Sequence, residues 1–163
     1  MNENIKTTED GMELDELDRR ILRELQQNAA QTNLELAQKV HASPPTCLRR
    51  VKRLTESGVI ARQVALLAPG LAARGLCAIV EISLDHQGAE YLDKFEEVAA
   101  AAPEVMQCYR VSPGPDFVLV LQVADMPAYH ALAHRLFATH ANVRNVKTYF
   151  SVNRAKFETA LPL

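Results

Sequence analysis

The residues best suited to chemistry in this chain are four cations, Arg49, Arg50, Lys52 and Arg53, crowded between Leu48 and Leu54. No acid occurs from Ser43 to Leu54. Fixed positive charge on one helix face suits phosphate, because neutralising a phosphate releases its counterions. The helix itself is legible. Ser43 is a good N-cap, Pro44 suits the first helical position, and Gly58 can end the helix in a left-handed turn. Cys47, Val51 and Leu54 recur at i, i+4 and i+7, which makes an apolar back, and the four cations lie off that stripe. A charge run by itself is usually just a solvated face, so the upstream residues decide the reading.

Leu14 to Leu25 reads as a first helix. Asp15 can cap it, Asp18 places negative charge in its first turn, and Leu17, Ile21, Leu22 and Leu25 form its apolar face. Thr32 to Glu35 fits a capping box that opens a second, short helix with Leu36, Ala37 and Val40 inward. Only His41 to Ser43 separate it from the cationic helix. Two short helices so tightly joined, after a longer one, make a helix-turn-helix whose third helix reads DNA from its N-terminal end. Ser43, Thr46, Arg49, Arg50, Lys52 and Arg53 are the candidate DNA contacts. Arg50 is the best placed of the six to pair with an acid inside the domain. Ser43 and Thr46 could equally serve as a cap alone.

The net charge of −2 conceals an asymmetry. Residues 1–14 carry one lysine against four acids, residues 15–63 nine cations against six acids, and residues 64–163 eight against ten. Positive charge is therefore concentrated where DNA would dock. The three cysteines cannot all pair and show no zinc spacing, which suits reduced thiols in the cytoplasm. The N-terminus lacks the apolar core of a signal peptide, and no apolar run reaches membrane-spanning length.

From about Gly75 the apolar period changes from helical to alternating. Leu76–Leu84 reads as a strand, 89–101 as a helix stopped by Pro103, 105–111 and 117–123 as strands, 126–140 as a second helix, and 146–152 as a last strand. The order is βαββαβ, the ferredoxin-like arrangement, with both helices on one face of an antiparallel sheet. The fold class is α+β: a winged-helix-like helix-turn-helix domain followed by this sheet domain. The divisions are a loose tail at 1–13, the helix-turn-helix at 14–60, an extended connector at 61–74 and the sheet domain at 75–163. The connector carries Val59, Val64, Leu66 and Leu67 in or beside it, too apolar for a free linker, so it is expected to pack, with a partner's connector as one candidate surface. The strand 117–123 is apolar on both sides, and two helices cover only one side. A second copy of the sheet is the simplest cover, which predicts a homodimer.

The stretches LDELDRRILRELQ, LELAQKV, SPPTCLRRVKRLTESGVI, ALLAP and VSPGPDFVLVLQVADMPAY, in that order, resemble the Lrp/AsnC (feast/famine) family of transcription regulators over roughly Leu14 to Phe157. The resemblance implies a cytoplasmic regulator of double-stranded DNA whose second half binds a free amino acid, and dimers that assemble further, commonly to octamers. It implies effector-binding roles for Arg110, Ser112, Gly114, Asp116, Met126, Tyr149 and Phe150, with no cofactor. Leucine or methionine is the preferred ligand, since these positions carry no acid besides Asp116. Two departures stand out. Pro113 and Pro115 flank Gly114 and remove two amide donors, and Phe117 and His41 replace residues that are usually Tyr and Gly in the family.

Several other functions are disfavoured. No Ser/His/Asp arrangement, Walker loop or dinucleotide fingerprint is present, so the chain does not read as an enzyme. His130 and His134 have metal-ligand spacing, but Ala131 stands where a zinc peptidase needs Glu and no third ligand is evident. An RNA-binding sheet needs aromatics and cations on its central strands, and 117–123 has one aromatic and no cation. An effector-independent, DNA-wrapping architectural protein remains the alternative.

Overall fold

The computed structural model describes residues 13–68 and 75–163, which fall into two compact units. The first contains three helices. Helix α1 spans Glu16–Gln27, α2 Asn33–Lys39 and α3 Pro44–Glu56. Each starts at a side chain that satisfies an otherwise unpaired amide. Asp15 and Asp18 form a capping box on α1, Thr32 and Glu35 form one on α2, and the Ser43 hydroxyl accepts from Thr46 N. Helix α1 begins two residues later than its apolar pattern suggests, because Asp15 takes the cap position outside it, and it runs on to Gln27, where Asn28 caps it. Ile21, Leu22, Leu36, Ala37, Val40, Cys47 and Leu54 make the core, with Val59 and Ile60 packed against it. The turn between α2 and α3 places His41 at φ 53, a left-handed conformation that glycine adopts more cheaply. Gly58, at φ 78, turns the chain out of α3.

The second unit is a four-stranded antiparallel sheet: β1 Leu76–Leu84, β2 Val105–Arg110, β3 Phe117–Val123 and β4 Val143–Phe150, in the order β2-β3-β1-β4. Helices α4 (Ala89–Ala101) and α5 (Met126–Ala133) cover one face. The buried side is continuous. Ala78, Val80, Ile82 and Leu84 of β1 and Phe117, Leu119, Leu121 and Val123 of β3 meet Phe95 and Ala99 of α4 and Tyr129 and Leu132 of α5. Phe95 stacks on Phe117 at 4.8 Å between centroids.

Three expectations need correcting. The helix expected over 126–140 is α-helical only to Ala133; His134–Ala138 is a π-turn, with Thr139 N donating to His134 O. The wider turn lets the consecutive Leu136 and Phe137 both reach the core, at 3% exposure each. The last strand runs Val143–Phe150 rather than 146–152, because its limits follow its partner: Val143 pairs with Leu84 and Phe150 with Ala78. The polar Arg144 and Asn145 hid its start. The second strand ends at Arg110, one residue early. The expectation that the connector packs is of another kind, since it includes a partner's connector: within the single chain Val64, Leu66 and Leu67 are 62%, 63% and 75% exposed. Positions 69–74 lie outside the described residues.

Phe95→Ala should cost the sheet unit about 3–5 kcal/mol, because it empties the centre of the core. Urea unfolding should show this as a lower midpoint with an unchanged slope.

Candidate nucleic-acid interface and effector region

The cationic residues of α3 do not behave as one group. Asp18, on α1, is completely buried. It receives two 3.2 Å hydrogen bonds from Arg50 Nη1 and a third, short bond from Arg53 Nη2. The same Arg50 nitrogen reaches Asp15 Oδ2 at 2.6 Å. Burial of a charge requires partners of this kind. Arg50 is thus tied into the unit and only 20% of its side chain is exposed, against 45% for Arg53. Arg49 and Lys52 are exposed, with Lys52 near Glu56 at 3.6 Å, one turn along the surface. On helical geometry Arg49 and Lys52, with Pro45, lie directly opposite the buried Cys47–Leu54 stripe, whereas Arg50 and Arg53 lie on the flank facing α1.

Ser43 and Thr46 sit at the entry to α3. Their hydroxyls are 2.8 Å apart, and Ser43 Oγ also accepts from Thr46 N at 3.3 Å. Both therefore take part in the cap at the N-terminal end of α3. Asn33 Nδ2 donates to Pro44 O at 2.9 Å, pinning the start of α2 to the start of α3. The periodicity arguments missed Asn33, and also Asp18 as the partner of α3. Neither contact has a local spacing signal.

The effector candidates are dispersed over the sheet unit. Arg110 is on the helix-covered face at the β2 edge, where it pairs with Asp93 and Glu96 of α4, each at 2.7 Å. These two carboxylates hold its guanidinium above the ordinary arginine range. Asp116 closes the loop: its Oδ2 accepts from Leu84 N at 2.6 Å, and its own amide donates to Ile82 O at 2.8 Å. Ser112 and Gly114 are exposed, Gly114 at φ 125 with open space where a side chain would stand. Met126 is the first residue of α5 and 40% exposed. Phe150, at the opposite edge from Arg110, stacks edge-on against Tyr129 at 5.0 Å. Tyr149 lies on the other face, next to Lys147. One chain therefore does not gather these seven residues into a single pocket. A separate groove of about 700 Å³ runs between the π-turn and β4, lined by Tyr129, His130, His134, Phe137, Arg144 and Thr148, and none of the seven lines it.

Asp18→Ala should strip Arg50 and Arg53 of their shared partner and cost the helical unit on the order of 3 kcal/mol in denaturant unfolding. Acid should act in the same place. The Asp15 carboxyl is held below its usual value by the Asp18 amide and by Arg50. A depressed folded pKa means a contribution present above the unfolded value of 3.8 and lost as pH falls through the folded one. Asp15→Asn should flatten that part of the stability profile below about pH 4.

Comparison with known proteins gives this geometry a family. Residues 14–61 match winged helix-turn-helix DNA-binding domains, and residues 77–161 match the Lrp/AsnC ligand binding domain. The leucine-responsive regulatory protein of Haemophilus influenzae is 38% identical over 143 residues, covering 88% of this chain and 86% of that protein. An AsnC family transcriptional regulator from Agrobacterium tumefaciens superposes with a TM-score of 0.83 at 38% identity, covering 91% of this chain and 97% of that one. A transcriptional regulator from Neisseria meningitidis, solved as its L-Met complex, gives a TM-score of 0.83 at 31% identity over 92% and 97% of the two chains. These relatives are regulators rather than enzymes, and among the described residues no helix is long and apolar enough to cross a membrane. With its helix-turn-helix and its ligand-binding sheet matched in order, the chain belongs to the Lrp/AsnC family of DNA-binding transcriptional regulators.

Proposed function

We propose that this regulator binds operator DNA as a homodimer or a higher assembly, and that a free apolar amino acid changes its DNA affinity. The carrying observation is the division of labour on α3. Asp18 and Asp15 hold Arg50 and Arg53, while Arg49 and Lys52 face outward beside the Ser43–Thr46 end. In this reading Arg49 and Lys52 meet phosphates or base edges, Ser43 and Thr46 stand nearest the bases, and Arg50 chiefly orients the helix. Arg53 does both, through its partly exposed guanidinium.

The dimer reading rests on the uncovered face of the sheet. Ile79, Tyr109 and Tyr149 are 41%, 51% and 42% exposed there, beside the half-buried Val118 and Val120. An apolar sheet face of this kind is suited to self-association. The effector reading is supported by the matched ligand-binding domain and by the L-Met complex of the meningococcal relative. Arg110, Tyr149 and Phe150 occupy two faces and both edges of one sheet, with Asp116 in the loop before β3 and Met126 at the start of α5, so a site built from them draws on more than one chain. Oligomerisation and ligand binding are then one equilibrium, and the ligand acts by preferring one assembly. Leucine or methionine is the favoured effector and the cytoplasm the site of action, where the free thiols of Cys47, Cys77 and Cys108 stay reduced.

Thermal unfolding against each of the twenty amino acids tests the effector. A ligand at about a thousand times its dissociation constant adds roughly 4 kcal/mol, enough for an obvious shift in Tm. A shift confined to apolar amino acids and lost in Asp116→Ala supports the proposal; no shift with any amino acid sinks it. The salt dependence of duplex binding tests the interface. Arg49→Ala should reduce the slope of log K against log salt by about 0.9 for each protomer bound, one phosphate's worth apiece. Arg50→Ala should weaken binding with little change of slope, and equal slope changes for the two variants would refute the assignment.

A further inference from the structure

The chain passes between its two units twice, at Leu66–Leu67 and again at Ala155–Lys156. After the second passage, residues 156–163 belong with the helical unit rather than with the sheet they follow. Their attachment is specific. Gln26, on α1, engages the main chain of Leu161 in both senses: its Nε2 donates to Leu161 O at 3.1 Å and its Oε1 accepts from Leu161 N at 2.6 Å. One side-chain amide thereby satisfies both backbone groups of a residue 135 positions away. Arg23, one turn earlier on the same helix face, donates from Nε to Leu163 O at 2.9 Å. Leu161 projects into solvent at 70% exposure, while Phe157 and Leu163 are partly covered, at 54% and 37%. None of the three belongs to the buried cluster of either unit, so the segment can open without disturbing either core.

What lies on each side of this contact gives it meaning. Upstream, residues 151–155 alone separate it from β4, which ends at Phe150 and is still tied to β1 by Ser151 N donating to Cys77 O. Downstream, the helix it grips is the one whose Asp18 holds Arg50 and Arg53 of α3. We infer that the Arg23–Gln26 face of α1 is a docking surface for residues 156–163, and that this contact couples the edge strand of the sheet unit to the recognition helix. The inference rests on the DNA-binding role of α3 argued above. A change at the end of β4 pulls or relaxes 151–155, and the docked segment passes that bias to α1 and, through Asp18, to α3. Coupling between two sites is reciprocal, so DNA bound at α3 must in turn alter the edge strand.

Hydrogen exchange on the full chain, with and without a mixed-sequence DNA duplex at low salt, tests this without a known effector. In the unsubstituted protein the Leu161 amide should exchange at least about tenfold more slowly than an unstructured amide. Duplex binding should change protection across Val143–Phe150. In the Arg23→Ala/Gln26→Ala variant the chain should still bind the duplex, but Leu161 should lose its protection and β4 should no longer respond. An unprotected Leu161 amide in the unsubstituted chain overturns the docking. A β4 response that survives in the variant, or that is absent from a duplex-bound unsubstituted chain, overturns the coupling. If the unsubstituted chain fails to bind the duplex, the DNA reading falls instead, and the Leu161 amide still decides the docking.

Discussion

A single carboxylate, that of Asp18, fixes the geometry on which DNA recognition depends. It is inaccessible to water, and guanidinium groups from Arg50 and Arg53 of α3 meet it there. Three short helices bury few side chains between them, so apolar contact alone leaves the azimuth of α3 loosely defined. A buried ionic cluster is directional where apolar packing is not. It sets which cations of α3 turn inward, and hence that Arg49 and Lys52 face out. Arg50 thus links α3 to the cap of α1, since it also holds Asp15.

The sheet unit is governed by a different constraint, the two-sidedness of a strand. Alternate residues of β1 and β3 reach one core. The remaining residues form a second surface that the chain's two helices cannot cover. Val118 and Val120 on β3 face Glu81 and Ile79 of β1 across the register, and Lys147 and Tyr149 of β4 continue the surface. The mixture is apolar at its centre and charged towards one side, as interfaces between proteins often are. One face of the sheet stabilises the fold, which leaves the other face exposed within the chain.

The same division explains why the effector candidates look scattered. Arg110 is held by α4 carboxylates, Asp116 is bound to the main chain of Leu84, and Phe150 leans on Tyr129. Each has a structural partner within the chain. For Asp116 this is a long-range bond to the end of β1 rather than the local turn contact that its residue type commonly makes. Such contacts also make a residue rigid, and rigidity is useful to any site it joins.

Much of the chain was legible from local rules. Caps at Asp15, Thr32 and Ser43 marked the helices, alternation marked β1 and β3 to the residue, and Gly58 marked the end of α3, because each depends only on backbone groups within a few positions. The family was also legible, since its motifs stand in order along the sequence. What the sequence hid was set at a distance. The limits of β4 follow the length of β1, and the π-turn at His134–Ala138 answers to a core that needs both Leu136 and Phe137. Asp18 reads as an ordinary first-turn acid until α3 closes over it. The attachment of Leu161 to Gln26 joins residues 135 apart. Sequence determined which segments form and what surfaces they offer, because those follow from short-range hydrogen bonding and periodicity. Tertiary structure decided which acid holds Arg50, that Arg53 shares it and that Arg49 and Lys52 stay exposed, because burial and pairing exist only once the helices meet.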